Sequence, residues 1–200
     1  MPKTALIVVD IQNDFFPPQP LGVQGAEAIV DPVNKLISQF DHVVLTQDWH
    51  PAQHCSFSET APFTTIITNG REQELWPPHC IAGTKGADFH AELNTTKANL
   101  ILRKGTQPEL DSYSAFFAND HKTATGLEGY LKNCNITELF FCGLATDFCV
   151  GFSALDALAC GFQVTVLLEA CAAIDHNDSL KKMLNKLSQN GAILALKAAP

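Results

Sequence analysis

Four short apolar runs in this sequence are each followed closely by residues that can do chemistry. The runs and the reactive residues behind them are Ala5–Val9 with Asp10, Val43–Leu45 with Asp48 and His50, Leu100–Leu102 with Lys104, and Leu139–Cys142 with Cys149. If the runs are parallel strands, their carboxyl ends share one edge, where open α/β sheets place their sites. The sequence therefore predicts that an acid, a lysine, a cysteine and two types of metal ligand share one pocket.

Cys149 is the candidate nucleophile, because it follows Gly143 at a predicted strand-to-helix elbow. The macrodipole and free N–H groups of a helix N-terminus favour a thiolate and can hold an oxyanion. The alternative is a buried core thiol, which we favour for most of the other cysteines.

Asp10 and Lys104 are candidate partners of this nucleophile. Taken singly, Asp10 reads equally well as a turn cap, and Lys104 as a lysine that reaches out to solvent. Taken with Cys149, an acid, a base and a cation can offset the cost of burying each alone. A carboxylate that accepts the thiol proton and an ammonium that holds the resulting anion form a sensible nucleophile set.

Asp48, His50 and His79 are candidate metal ligands. Asp48 and His50 lie two residues apart on an extended segment, so both side chains can face one side. His79 follows two prolines that stiffen its loop. Two histidines and one aspartate with open positions suit Zn²⁺, Fe²⁺ or Mn²⁺. His54 is a candidate fourth ligand, whereas the remaining histidines are read as solvated.

Length and composition suit one folded domain over residues 1–200, with 46% hydrophobic and 17% charged residues. The formal net charge of −8 argues against nucleic acid or an anionic membrane as a partner. We find no signal peptide and no apolar run near the roughly 20 residues of a membrane span, so we expect a cytoplasmic protein. The seven cysteines form no CxxC pair, which agrees with a reducing compartment.

Apolar runs alternate with amphipathic segments, which predicts a three-layer α/β fold with helices on both faces of a mostly parallel six-stranded sheet. The predicted strands are 4–9, 43–46, 100–102, 139–142, 164–168 and 192–196. Helices are predicted to begin at Asp31-Pro32, at Gly126, at Cys149 and at Asn177. Residues 49–90 show little periodicity, and we interpret this long irregular region as the wall of the site.

Five motifs occur in order along residues 10–150. They are Asp10–Phe15, Asp48–Pro51, Trp76–Cys80, Lys104-Gly105 and Gly143–Val150. Any one of them is only suggestive, but the ordered set is specific. It resembles the nicotinamidases (pyrazinamidases) of the isochorismatase-like cysteine hydrolase superfamily, whose fold has a Rossmann-like topology.

The resemblance implies roles for many of these residues. The implied catalytic triad is Asp10, Lys104 and Cys149, and the implied oxyanion hole is formed by the Ala145 and Cys149 N–H groups beside a cis Leu144–Ala145 peptide. The implied metal ligands are Asp48, His50 and His79, with His54 behind them or as a weak fourth ligand. The implied aromatic wall of the substrate pocket is Phe15, Trp76 and, by a looser match, Tyr113. Zn²⁺ is the first choice of metal, with Fe²⁺ and Mn²⁺ as alternatives.

The resemblance also implies an activity: metal-dependent hydrolysis of nicotinamide to nicotinate and ammonia through a thioester, with pyrazinamide as a further substrate and NAD salvage as the pathway. Other cysteine amidases of the superfamily, acting on carbamoyl or ureido substrates, are the runner-up, although they usually lack this metal set. Vinyl-ether-cleaving isochorismatases lack the cysteine. A non-enzymatic binding protein or thiol sensor would be expected to show a damaged triad. The sequence leaves the oligomeric state open, a homo-oligomer included.

Overall fold

The structure is a computed structural model that describes residues 3–68 and 70–196. The strands are β1 Thr4–Val9, β2 Val43–Asp48, β3 Thr65–Thr68, β4 Arg71–Glu74, β5 Leu100–Lys104, β6 Glu138–Leu144, β7 Gln163–Ala172 and β8 Ile193–Ala195. The α-helices are α1 Ala26–Gln39, α2 Leu127–Asn133, α3 Gly151–Ala159 and α4 Ser179–Gln189. Short 3₁₀ turns at Asn13–Phe15 and Lys85–Ala87 and a π-helical turn at Thr146–Val150 complete the elements.

Six of the strands form one sheet in the order β5-β2-β1-β6-β7-β8, and every neighbouring pair in it is parallel. Counted within this sheet alone, the order is 3-2-1-4-5-6, which is the doubly wound Rossmann-like order. The predicted fold class and all six predicted strands are confirmed. The order in which strands are added to the sheet reverses between β1 and β6, and such folds place their ligand site at this switch point.

Helices cover both faces of the sheet. Successive residues of β1 point to opposite faces: Leu6 and Val8 pack in one apolar cluster with α1, and Ile7 packs in a second cluster with α2, α3 and α4. Because both faces are covered, β1 and β2 are buried almost throughout, as central parallel strands should be.

All four predicted helix starts differ from the observed ones, and α2 begins at Leu127, one residue after Gly126. α1 begins at Ala26 instead of Asp31 and contains Pro32 in its interior. Ile29 and Val30, which precede the proline, are buried, so packing against the sheet outweighs the hydrogen bond that Pro32 removes. α4 begins at Ser179, one residue after its N-cap Asp178, instead of following Asn177.

The segment after β6 also differs from the predicted helix at 149–160. Cys149 lies in the π-helical turn Thr146–Val150, and the α-helix begins only at Gly151. The turn follows Gly143, whose φ is 115° and whose missing Cβ would lie 2.1 Å from the Val9 carbonyl oxygen. A side chain there would push β6 away from β1, so this glycine keeps the turn close to the end of β1. The peptide between Leu144 and Ala145 is cis, as the resemblance implied.

Residues 49–90 are more ordered than their lack of periodicity suggested. They contain the antiparallel hairpin of β3 and β4 and the turn at Lys85–Ala87. Within the described ranges, no helix is both long and apolar enough to cross a membrane.

Candidate active site

Three strand ends and one turn bring the predicted nucleophile set together. The Lys104 ammonium lies 2.9 Å from Asp10 Oδ2, 2.6 Å from Asp48 Oδ1 and 3.2 Å from Cys149 Sγ. All four residues are buried. The Asp48–Lys104 contact follows from the sheet, because the two residues are register partners on β2 and β5.

Asp10 is held by its neighbour on β2. The Thr46 hydroxyl donates to Asp10 Oδ1 at 2.6 Å, and the Asp10 N–H donates to Thr46 Oγ1 at 3.2 Å. Asp10 Oδ2 forms an ion pair with Lys104 whose geometry falls short of a hydrogen bond. Asp10 also presents a carboxylate oxygen within 4.8 Å of Cys149 Sγ, which is close enough for a small rearrangement to join them.

Burial dominates the protonation of this set. It raises the pKa of Asp10 and raises that of the Cys149 thiol well above its usual range, with Lys104 opposing both shifts. Burial works against the charge of Lys104 too, but Asp10 and Asp48 raise its pKa. Burial likewise opposes ionisation of Asp48, yet Lys104 holds the pKa of that carboxyl well below its usual range. Burial and the carboxylates of Asp48 and Asp10 therefore oppose the thiolate that a helix N-terminus favours, and the Lys104 ammonium supports it.

Asp48, His50 and His79 converge as predicted. Asp48 Oδ2 lies 3.7 Å from His50 Nε2 and 4.0 Å from His79 Nε2. The Nδ1 atoms of His50 and His79 donate to the carbonyls of Gly105 and Pro77, at 2.9 and 2.8 Å. These bonds require a hydrogen on each Nδ1 and turn both Nε2 atoms towards Asp48, which is the arrangement of metal-binding histidines. The donor set therefore fits a divalent transition-metal ion.

The backbone at Gly105 packs directly against the imidazole ring of His50. A Cβ on Gly105 would lie 2.4 Å from His50 Cε1, so the residue after Lys104 must be glycine for this ring to fit. The His50 N–H donates to the Cys80 carbonyl at 3.0 Å, which ties β2 to the loop that carries His79. Burial, with His50 beside it, lowers the pKa of His79 to about 4, so that this ring is neutral near pH 7.

His54 occupies a separate position behind His50. The two rings stack with their centroids 4.2 Å apart, and His54 Nδ1 pairs with Ser56 Oγ at 2.7 Å. His54 groups with His50 and Asp111 rather than with Asp48 and His79, and its buried Nε2 atom has no hydrogen-bond partner among the described residues. His54 therefore lies beside His50 and outside the group of Asp48, His50 and His79, as the first of the two implied positions for it requires.

The three predicted aromatic residues lie around the same pocket. The Trp76 indole N–H donates to the Tyr113 hydroxyl at 3.1 Å, and the Phe15 ring lies 5.6 Å from that of His79. The space around the pocket, counted together with its open mouth, is about 360 Å³. Its lining residues are Phe15, Leu21, Asp48, His50, Trp76, His79, Asp111, Tyr113, Ala145, Phe148, Cys149 and Ile174. A small, flat, largely apolar molecule fits this lining.

Several functional neighbours were missed by sequence reasoning. The ring of Phe148 stands perpendicular to that of Trp76, with centroids 4.8 Å apart. Phe148 was not singled out, although it lies in the same motif as Cys149. Gln12 lies within the first motif and clamps β2 by accepting from the Asp48 N–H and donating to the Asp48 carbonyl, both at 2.8 Å. Asp111, buried in the pocket wall, begins the segment Asp111–Phe116, on which the looser match of Tyr113 rests. Membership of a motif was the available signal for all three.

Comparison with known proteins places this geometry in a family. A family model described as the isochorismatase domain matches residues 4–199. The chain belongs to the isochorismatase family. Among its relatives, the nicotinamidase of Acinetobacter baylyi is 46% identical over 191 residues, which are 94% of this chain and 89% of that protein. The nicotinamidase of Escherichia coli is 40% identical over 182 residues, covering 88% and 85% of the two chains.

Solved structures of family members superpose closely on the chain. An Acinetobacter baumanii nicotinamidase/pyrazinamidase is 46% identical, with a TM-score of 0.95 and coverage of 98% and 96%. An L. infantum PnC1 structure in complex with nicotinate is 39% identical, with a TM-score of 0.85 and coverage of 98% and 92%. A Pyrococcus horikoshii pyrazinamidase in complex with zinc is 33% identical, with a TM-score of 0.81 and coverage of 97% and 99%.

Proposed function

We propose that this chain is a nicotinamidase that hydrolyses nicotinamide to nicotinate and ammonia, with pyrazinamide as a further substrate. The observation that carries the proposal is the joining of two sets through Lys104, whose ammonium contacts both Cys149 and the metal-ligand candidate Asp48. An amidase of this kind needs a nucleophile, and an aromatic substrate needs a flat apolar pocket beside it. The high identity to proteins named nicotinamidase supports the same reaction.

In this mechanism Cys149 Sγ attacks the carboxamide carbon while its proton passes to Asp10. Because burial raises the pKa of Asp10 as well as that of Cys149, this carboxylate is a stronger base than an exposed aspartate. Lys104 stabilises the sulfur as it becomes negative. The oxyanion is held by the Ala145 and Cys149 N–H groups, an effect worth about 10²–10³ in rate per donor elsewhere.

Collapse of this adduct breaks the carbon–nitrogen bond. Asp10 gives the proton to the departing ammonia, and a thioester on Cys149 remains. Water then attacks the thioester carbon, Asp10 accepts a proton from it, and cleavage of the carbon–sulfur bond releases nicotinate and restores the thiol. The aromatic wall of Phe15, Trp76 and Tyr113 holds the ring so that the carbonyl lies within attack range.

Asp48, His50 and His79 would hold one divalent metal ion, for which Zn²⁺ is the first choice. The convergent Nε2 atoms of the two histidines support this assignment. When bound, the ion would coordinate the ring nitrogen of the substrate and so orient the ring. We further infer that residues 1–200 act as one domain and that the enzyme is cytoplasmic and serves NAD salvage. We expect no nucleic-acid or membrane partner, and the proposal allows a homo-oligomer.

Ammonia release from nicotinamide by the purified protein tests the proposal. The assay is run untreated, with a chelator, and with Zn²⁺, Fe²⁺ or Mn²⁺ added back. Release that falls with chelator and recovers with metal supports both the reaction and the metal role. If the chelator does not change ammonia release, the role of the nucleophile set stands and the proposed role of the metal is wrong. No release with any metal, with Cys149 shown to be reduced, overturns the proposal in favour of a carbamoyl or ureido amidase.

A further inference from the structure

A second cavity adjoins the catalytic pocket. Leu21 and Ile174 line both spaces, so the second cavity lies beside the first and offers a route of approach to it. The remaining lining of the outer cavity is Pro20, Gly22, Val23, Gln24, Phe63, Asp175 and His176. A substrate that reaches Cys149 by this route passes between the segment that carries Phe63 and the segment that carries His176.

Phe63 and His176 meet across this approach. Their ring centroids are 5.6 Å apart, although the residues belong to loops far apart in the sequence. Phe63 also stands perpendicular to Trp76 at 5.8 Å, so the contact continues directly into the aromatic wall of the pocket. His176 lines a third surface cavity as well, together with Phe148, which places it between two openings near the catalytic turn. The pair therefore narrows the mouth instead of packing into the core.

Both loops are held in unusual backbone conformations. Phe63 has a φ of 63°, and Asp175 and Asn177 have φ values of 52° and 53°. Residues other than glycine occupy this left-handed region at a cost and persist there only when their surroundings fix them. For Phe63 the fixing contact is its N–H, which donates to the Leu75 carbonyl at 2.6 Å.

The loop that carries His176 is fixed to the catalytic turn itself. Asp147, two residues before Cys149, accepts hydrogen bonds from the Ile174 and Asp175 N–H groups at 3.1 and 2.7 Å and from the Ser179 hydroxyl. The mouth and the nucleophile are therefore anchored to the same buried carboxylate. This anchoring makes the opening a property of the fold rather than of a free loop.

We propose that Phe63 and His176 determine substrate size: their contact closes the mouth to amides larger than a single-ring carboxamide. The identity of the favoured substrate rests on the proposed function, but the size limit does not. Neither residue touches the reacting atoms, so both act on access. Removing either ring widens the approach and leaves the nucleophile set unchanged.

Chemical modification of Cys149 tests the size limit without reference to activity. N-methylmaleimide and N-(1-pyrenyl)maleimide share one reactive group and differ in bulk, and in each the thiol adds across the C=C bond. Peptide mass spectrometry gives the rate constant at Cys149 for both reagents in the wild type, in Phe63→Ala and in His176→Ala. We expect the small-to-large rate ratio to fall about tenfold or more in each variant, the scale of a steric change of a few atoms.

Two control variants are matched to the pair. Ile67→Ala removes an exposed apolar side chain of β3, and His121→Ala removes an exposed histidine with a similarly positive φ of 56°. Both should keep the wild-type ratio. If Phe63→Ala fails to fold, the rate ratio is measured in Phe63→Leu and His176→Ala instead. An unchanged ratio in the folded variants, or an equal fall in the controls, overturns the proposal.

Turnover gives the second arm. The kcat/KM for quinoline-3-carboxamide, which adds a fused ring to nicotinamide, should rise relative to that for nicotinamide in both variants. Because the two rings form one barrier, the double variant should gain little over either single variant. A changed maleimide ratio in a protein that hydrolyses neither amide supports the size limit and counts against the proposed function. A changed kcat/KM ratio without a changed maleimide ratio overturns the size limit.

Discussion

The charged half of the site and its aromatic half are built from different parts of the fold. Asp10, Asp48 and Lys104 follow or end three adjacent strands, β1, β2 and β5, so the hydrogen-bonded register of the sheet sets their spacing. Trp76 and Tyr113 lie in loops outside this sheet, and a hydrogen bond of 3.1 Å joins their side chains. The comparison teaches that three of the charged groups are placed by strand pairing within one sheet, whereas the groups that hold the substrate ring are placed by loops, whose side chains contact one another.

This difference predicts different responses to substitution. In the charged half, each buried ion compensates another, so losing one group leaves an unpaired charge in the interior. In the aromatic half, the contacts are many and individually small, so losses should be graded. The variants below test the comparison, from the largest expected effect to the smallest.

Cys149→Ala should remove turnover while leaving the fold and the metal ligands in place. Loss of the nucleophile costs about 10⁶-fold in kcat in a well-studied hydrolase, and we expect at least about 10⁴-fold here. Ammonia release and Zn²⁺ binding by titration calorimetry measure the two properties separately. Cys160→Ala, at a half-buried cysteine on the end of α3, is the control and should retain activity. Substantial ammonia release by Cys149→Ala would contradict the covalent mechanism.

Lys104→Met should destabilise the protein more than any change in the aromatic half. The ammonium lies 2.9 Å from Asp10 and 2.6 Å from Asp48, and both acids would lose their cation in the interior. Breaking such a buried pair costs about 3–5 kcal/mol of unfolding free energy. Urea denaturation measures the loss, and adding Asp10→Asn to Lys104→Met should recover part of it. No recovery in the double variant would mean that the two side chains are not coupled.

Gly105→Ala tests how tightly strand-end geometry controls the metal ligands. The new Cβ would lie 2.4 Å from His50 Cε1, so the imidazole must move or lose its bond to the Gly105 carbonyl. Disturbing such a bond lowers metal affinity by about 10–100-fold. Gly129→Ala, on α2, is the control, because the new Cβ would meet nothing within 4 Å in the part of the chain that the structure describes, and alanine favours a helix. Equal Zn²⁺ affinities in the two variants would refute the coupling.

The same contrast explains how much could be predicted from the sequence. Asp10, Asp48 and Lys104 were predicted to share a pocket because short apolar runs mark parallel strands, whose carboxyl ends must meet. The late start of the α-helix after Cys149 could not be predicted, because the π-helical turn follows a strand end where Gly143 lies close to Val9 across the sheet, and the local pattern does not show that contact. Local patterns record strand periodicity but not contacts between distant residues.

The loops were predicted less completely for the same reason. Asp111 supports the pocket wall by accepting a hydrogen bond from the Gln73 amide at 3.0 Å, across 38 positions of sequence. Nothing in the local pattern around either residue indicates that pairing. Pro32 was taken as a helix start because proline favours the first turn, and the burial of Ile29 and Val30 became visible only in the folded chain.

Tyr113→Phe should have a modest effect, as expected for the aromatic half. It removes the acceptor for the Trp76 indole N–H and leaves that donor buried, which costs about 1–3 kcal/mol of stability. The KM for nicotinamide should rise more than kcat falls, because the ring wall binds ground and transition states alike. Tyr130→Phe, which removes a hydroxyl paired with His42 away from the pocket, should leave KM unchanged. A fall in kcat alone would place Tyr113 in the chemistry instead.

Asp120→Asn should have the smallest effect on stability, and this effect should appear as a pH dependence of Tm. The loop after Tyr113 is closed by Asp120, whose carboxylate accepts from the Thr123 and Lys122 N–H groups and the Thr123 hydroxyl. Hydrogen bonds from the Thr123 and then the Lys122 backbone lower the pKa of Asp120 to about 2.

A carboxyl whose pKa is lower in the folded than in the unfolded chain stabilises the fold above its unfolded pKa of about 3.9, and this contribution disappears as the pH falls through the folded value. The difference in Tm between the wild type and Asp120→Asn should therefore be constant near pH 6 and shrink between about pH 4 and pH 2, where protonation removes the advantage of the carboxylate. Thermal unfolding at constant ionic strength measures it. Because the Asn119 side chain, next in the chain, accepts from the Tyr113 N–H at 3.0 Å, the same loop supports the aromatic half. A Tm difference that stays constant down to pH 2 would show that this loop, and the support that it gives to Tyr113, do not depend on the charge of Asp120.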